Sequence, residues 1–231
     1  MILLYIFNTI YSLLEAITSK KDVLTIRHTL SLLESFQTVV ASKIHRFSTE
    51  LQEFQKRGSV NKEQIFNTIT KPDQQIIIII HALFHFLDSI TRDIEFRVRL
   101  AEINNKKPTK WFAYAPEYPP PQINIESLQH PDSTISVCLK SGKMEIVESI
   151  AEEIKRPKRR CVEIDGRQGS ILCYPVFQQA NGIHPYVISI YASRDGFFME
   201  KKRDLYNLIL NQFALRIQLE HNLILLKELP T

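Results

Sequence analysis

Three groups of residues in this 231-residue chain are of types that do chemistry. The first is a trio of cysteines, Cys138, Cys161 and Cys173. A thiolate attacks carbon or sulfur when its pKa is lowered and solvent reaches it. Three is an odd number, however, and no pair has CxxC spacing. Neither a disulfide framework nor a zinc site is expected, and a reducing cytoplasm suits the chain. The second group is His81 and His85, one helical turn apart, which is metal-ligand spacing. Both lie in the apolar run IIIIIHALFHFL with no acid between them, and Asp88 can instead accept a hydrogen bond from His85. Histidines satisfied in a core or an interface are the reading taken, with no metal. The third group is a basic segment: Lys155, Arg156, Lys158, Arg159, Arg160 and Arg167. Arginine presents a planar fork to phosphate or carboxylate, so anion recognition is one reading. A solvated charged loop is the plainer one. No interleaved aromatics or reading helix accompany these residues, so nucleic acid is not expected as a partner.

The elements that must position these groups follow from composition and periodicity. Apolar residues make up 44% of the chain and charged residues 23%. Those are the proportions of an ordinary soluble protein. A net charge of +4, from 29 basic and 25 acidic residues, gives no general affinity for polyanions. With 6 glycines there is no Gly-rich phosphate loop. Two apolar stretches, 1–17 and 76–87, fall short of the ~20 residues of a membrane-spanning helix. Membrane insertion is not expected, and both read as buried core helices.

Residues 22–56 carry apolar side chains at spacings of three and four: Val23, Ile26, Leu30, Leu33, Phe36, Val40, Ile44, Phe47, Leu51 and Phe54. One long helix is expected, its stripe packing on residues 2–17 in a hairpin or, alternatively, on a second copy of the chain. A short amphipathic segment, 62–68, follows. Pro72 opens a second helix to about Asp93, apolar nearly all round and therefore buried. Phe96–Ile103 alternates strictly and pairs with Lys110–Ala115 across a loop of five or six residues. The proline-rich stretch 116–131 is extended, with at most a short strand at 123–125. A brief helix, 134–140, stops at Gly142, and a small strand, 145–147, and a helical turn at 150–155 come next. Strands at 170–177 and 186–192 precede a last helix, 199–229, burying Leu205, Leu208, Ile209, Phe213, Ile217, Leu223, Ile224 and Leu226. The fold class is α+β: an antiparallel sheet covered on one face by long helices, after an N-terminal helical hairpin or bundle.

From about Asp73 to Lys227 this order and its local wording resemble a GAF domain. The resemblance rests on the hairpin 96–115, on Ser136-Val137-Cys138-Leu139-Lys140-Ser141-Gly142-Lys143 before Ile146-Val147, and on Gly169-Ser170-Ile171-Leu172-Cys173-Tyr174-Pro175-Val176. Tyr186-Val187-Ile188-Ser189-Ile190-Tyr191 and Phe197-Phe198 complete it. It implies a sensor, a GAF-like domain at 72–231 with a pocket on the sheet, following the helical region at 1–71, of which residues 1–58 lie outside the resemblance. A small-molecule ligand, a homodimer through the long helices and a separate output protein are implied partners. The candidate ligand-binding residues are Tyr114, Cys138, Arg159, Arg160, Arg167, Ser170 and Tyr174. No cofactor is named, and no catalytic or metal residue. The family's cyclic-nucleotide motif and the cysteine-before-histidine that holds a bilin are missing. Two alternatives stand beside the sensor. One is a dimerisation scaffold whose pocket is filled by its own aromatics; the other is a thiol enzyme similar to free methionine-(R)-sulfoxide reductases, using Cys138 and Cys173. The reductases' glycine-rich motif is absent.

Overall fold

A computed structural model describes residues 26–57, 70–91, 93–121, 123–156, 168–178 and 182–228. The chain forms α1 (Ile26–Arg57), α2 (Pro72–Ile90), β1 (Phe96–Asn104), β2 (Lys107–Ala115) and a 3-10 turn (Ile125–Gln129). There follow α3 (Thr134–Ser141), β3 (Glu145–Val147), α4 (Ile150–Ile154), β4 (Ser170–Gln178), β5 (Ile183–Ala192), a 3-10 turn (Glu200–Lys202) and α5 (Arg203–Glu228). The five strands make one antiparallel sheet in the order β2-β1-β5-β4-β3. The α+β architecture expected from the sequence is present. The proposed helix at 2–17, the segment 62–68 and the side chains of Val23, Ile26, Leu51 and Phe54 lie outside the described residues.

Two local expectations need correction. The β1–β2 loop is a two-residue turn, Asn105-Lys106, with both φ angles positive (50° and 61°). Such a turn matches the twist of the strands it joins, so pairing continues to Asn104 and Lys107. Pro108 therefore sits inside β2. The sheet tolerates it because β2 is an edge strand and the register shifts between Glu102 and Ile103. At 123–125 there is no strand. Asn124 instead accepts a hydrogen bond from the Glu126 amide (3.2 Å) and starts the 3-10 turn. Asparagine side chains compete in this way with regular backbone pairing.

One face of the sheet carries α2 and α5, with α1 outside them. Phe96, Val98, Leu100, Leu172, Val176, Ile188 and Ile190 from the strands join Ile76, Ile80, Leu83 and Phe86 of α2 and Phe213 and Ile217 of α5 in one apolar cluster. The isoleucine run adopts a helix because burial on that face outweighs its β preference. Leu32 and Val39 of α1 belong to the same cluster. The inward stripe of α1 is thus Leu32, Ser35, Phe36 and Val39, while Leu30, Leu33, Val40 and Ile44 of the expected stripe face outward. Leu226 of α5, expected inside, is 55% exposed.

Polar ties fix the three long helices. Buried Gln75 of α2 donates to the Val39 carbonyl of α1 (2.9 Å) and accepts from Arg46, which also donates to the Lys71 carbonyl (3.2 Å). Lys43 of α1 pairs with Glu220 of α5, whose side chain is 4% exposed, and the Phe36 and Phe213 rings lie 4.9 Å apart. Removing one partner of a buried ion pair leaves an uncompensated charge, typically ~3–5 kcal/mol. The Lys43 side chain is 24% exposed. Lys43→Met is therefore expected to cost less than that range, about 2–3 kcal/mol. The double change Lys43→Met with Glu220→Leu should recover most of that loss in urea unfolding. Additive losses would show that the pair does not couple the two helices.

Candidate functional site

The second face of the sheet bears no long helix among the described residues. Residues directly opposite one another on paired strands share a face. The register therefore draws one row across the sheet: Tyr114, Arg99, Ser189, Cys173, Glu145. The 3-10 turn, α3 and α4 roof this row, and Leu128, Ile135 and Cys138 pack against Ala101, Cys173 and Val187 beneath them. A pocket of about 50 Å³ remains between roof and row, lined among others by Arg99, Trp111, Cys173, Ser189 and Tyr191. Arg99 is only 7% exposed and lies 5.5 Å from the centre of the Trp111 ring. The Trp111 indole donates to the Ile123 carbonyl (3.3 Å), and the Tyr191 hydroxyl donates to the Gln168 carbonyl (2.9 Å). The aromatic walls are therefore held in place. This pocket is far below the ~300–1,000 Å³ of drug-sized ligand sites.

Burial pushes the Cys173 thiol up to about 12, partly opposed by its contact with the Ser189 hydroxyl (3.7 Å). Burial, with Cys173 next in importance, raises Cys138 well above the usual thiol range. Both are held as neutral thiols, the opposite of an activated nucleophile.

A larger cavity, about 320 Å³, opens on the helix-bearing face where α2, α5 and the 196–199 segment meet the sheet. Leu83, Phe86, Phe198, Leu205 and Ile209 give it apolar walls; His28, Arg194 and Lys202 are also among its lining residues. The Phe197–Phe198 pair is stacked edge to face at 5.0 Å, and Tyr206 packs on Phe198 at 5.6 Å.

Of the seven candidate residues from the sequence, the four that are described, Tyr114, Cys138, Ser170 and Tyr174, do not converge on one pocket. Arg159, Arg160 and Arg167 lie outside the described residues, as does Cys161. Of the same basic segment, Lys155 pairs with Glu152 (2.7 Å) and Arg156 with Glu153 (3.0 Å). Tyr114 stands in the polar row beside Arg99, and Cys138 is buried under the roof. Tyr174 is on the other face, half-buried at an open cleft with His184, Arg203 and Asn207. Ser170 is fully buried in a backbone knot: its hydroxyl donates to the Arg194 carbonyl (3.1 Å) and accepts from the Phe198 amide (3.2 Å). Gly169 just before it has φ 120°, and its amide donates to Asp195 (2.6 Å). His81 faces Glu117 (3.7 Å) and His85 is exposed; among the described residues no metal-ligating cluster occurs. Arg99 escapes a reading of the sequence, because it alternates with Phe96, Val98 and Leu100 and so resembles a solvent-facing charge. The large cavity escapes it too, since no local signal marks a gap between distant helices.

No family model matches the chain, and no curated protein matches it. Solved structures that resemble it include type II free methionine-R-sulfoxide reductase from Thermoplasma acidophilum (16% identity, 64% of this chain and 95% of that one, TM-score 0.48). The nlh2 GAF domain of A. aeolicus in an inactive state is another (10% identity, 85% and 99%, TM-score 0.49). A third is the GAF domain of Acinetobacter phosphoenolpyruvate-protein phosphotransferase (13% identity, 82% and 97%, TM-score 0.43).

The buried thiols and the Gly169-Ser170 knot each lend themselves to measurement. With its pKa near 12, the Cys173 thiol is ionised at pH 8 in roughly one molecule in ten thousand. Iodoacetamide should therefore modify the Cys173 peptide in native protein at least about a hundredfold more slowly than in urea, read by mass spectrometry. Equal rates would restore a reactive thiol. A Cβ at Gly169 would lie 2.3 Å from the Ala192 carbonyl oxygen. Gly169→Ala should accordingly cost about 2 kcal/mol or more, through strain at that φ and the clash. Ser170→Ala should cost about 1–2 kcal/mol for the orphaned Phe198 amide. Thermal and urea unfolding measure both.

Proposed function

We propose that this chain is a regulatory sensor module with a GAF-like domain at 72–231 and an N-terminal helical region at 1–71. In this reading an occupant of the sheet-and-helix cavity biases the packing of the long helices, which carry the signal to a separate output protein. The observation that carries it is the position of the 320 Å³ cavity, bounded directly by α2 and α5. A ligand there touches the helices themselves, so differential affinity for two helix packings needs no relay. The opposite pocket, at about 50 Å³, offers far less room. Among the described residues no helix is long and apolar enough to cross a membrane. Buried Cys138 and Cys173, free thiols, support a reducing cytoplasmic setting.

The same reading makes the protein a homodimer through α1. Leu30, Leu33, Val40 and Ile44 lie on its outer side, Leu30 and Ile44 at 60% exposure. With exposed Gln37 between them, the spacing is 3-4-3-4, the period of a left-handed coiled-coil seam. A second reading, a dimerisation scaffold without ligand, is favoured by that seam together with the nearly filled pocket under the roof. High buried-thiol pKa values count against the thiol-enzyme alternative.

Native mass spectrometry of protein from its own host tests both properties. The sensor reading expects a dimer with a retained small molecule. A dimer with an empty cavity, and no change in α1 and α5 hydrogen exchange on adding cell extract metabolites, sinks it in favour of the scaffold. Ile44→Glu should convert the dimer to a monomer with an unaltered circular-dichroism spectrum, and a persisting dimer would remove α1 from the interface.

A further inference from the structure

We infer that the cavity between α2, α5 and the sheet takes a single-chain amphiphile with an anionic head, its tail inside and its head at Arg194 and Lys202. The inference rests on the sensor reading and names the chemistry of its ligand.

Three observations converge on that chemistry. The interior presents almost nothing to a polar ligand: Leu83, Phe86, Leu172, Ile190, Phe198 and Ile209 are apolar and buried. The one phenol among the described walls, Tyr206, is already committed, donating to the Phe197 carbonyl (3.0 Å) and accepting from the Met199 amide (3.3 Å). A ligand hydroxyl or amide placed there would lose its water without gaining a partner, whereas a hydrocarbon tail loses nothing.

The charged side chains among the described lining residues are of one sign. Among the described lining residues Arg194 and Lys202 are cationic and none is acidic. The Lys202 ammonium makes no hydrogen bond or ion pair among the described residues, and the contact found for the Arg194 guanidinium is the face of Phe197 at 5.8 Å. Arg97 and Arg203, by contrast, are matched, with Glu95 (2.6 Å) and Glu200 (2.9 Å). Two cations left without carboxylates beside an apolar cavity fit a carboxylate or phosphate head.

The third is size. A volume of about 320 Å³ is at the lower end of ligand pockets, room for one chain of moderate length and too little for a two-chain lipid. Each methylene that enters should tighten binding about fourfold until the cavity is full.

Isothermal titration of the full-length protein with octanoate, decanoate and dodecanoate supplies the test, with decyl phosphate, decanol and decyltrimethylammonium as head-group arms. One site per chain is expected. Affinity should rise through the acid series and level off, decanol should bind about tenfold more weakly than decanoate, and the cation should not bind. Decanoate against decyl phosphate separates a fatty acid from a phosphate monoester as the source of the head. Lys202→Glu should weaken decanoate at least about tenfold, and Leu205→Trp, which fills the cavity, should abolish binding; circular dichroism confirms that both variants fold. Decanol matching decanoate, a preference for the cation, or binding that ignores both variants overturns the inference.

Hydrogen exchange run in parallel keeps the two ideas apart. Decanoate binding at this site without any change in α1 or α5 supports the ligand class and sinks the sensor reading. A polar molecule retained from the host, with no affinity for any arm, sinks the ligand class and leaves the sensor standing.

Discussion

The architecture depends on α2. A helix with isoleucine, leucine or phenylalanine on most of its circumference cannot rest on a sheet with its back in water. It needs cover on both flanks and above. The sheet takes one side, α5 another, and α1 is drawn in over the remainder by Leu32, Val39 and the Gln75–Arg46 network. Three long helices therefore share one apolar cluster with the strands. Where α2, α5 and the 196–199 segment meet over Leu172 and Ile190, close packing fails locally and leaves the cavity.

The two faces of the sheet have different characters. The face under α3 and α4 is tightly closed, with one polar row whose central members, Arg99, Ser189 and Cys173, are held by aromatic and apolar neighbours. Its thiols are silenced by burial. The helix-bearing face is looser and carries unmatched positive charge at its opening. Ser170, at the head of β4, fastens the strand to the 194–198 segment that leads into α5.

Much of the fold is legible in the sequence because its signals are local. Alternation in β1, the Ser133 cap and Gly142 stop of α3, and the Gly169-Ser170 start of β4 all act within a few residues. The hairpin turn is not, because Pro108 suggests a break, while its tolerance depends on β2 lying at the edge. The α1 stripe is legible only in part, for a different reason. The helix has two apolar rows side by side, 30-33-40-44 and 32-36-39, and only the position of α2 and α5 decides which one turns inward. Sites are the least legible. Tyr114, Cys138, Ser170 and Tyr174 are close in type to a ligand-binding set, yet strand register sends Tyr174 to the opposite face and the backbone around Phe198 consumes the Ser170 hydroxyl.

The two rims of the sheet have a bearing on how copies of the chain meet. β3 is three residues long, and β2 carries Pro108 and two register shifts. Neither rim offers a long, regular ladder of open amides and carbonyls, so adding a strand from a neighbour gains little there. Continuous strand-to-strand growth, the route to fibres, is blunted at both ends. In the proposed dimer, contact between copies would fall to the helical surface, where a paired seam closes on a finite assembly instead of extending without limit.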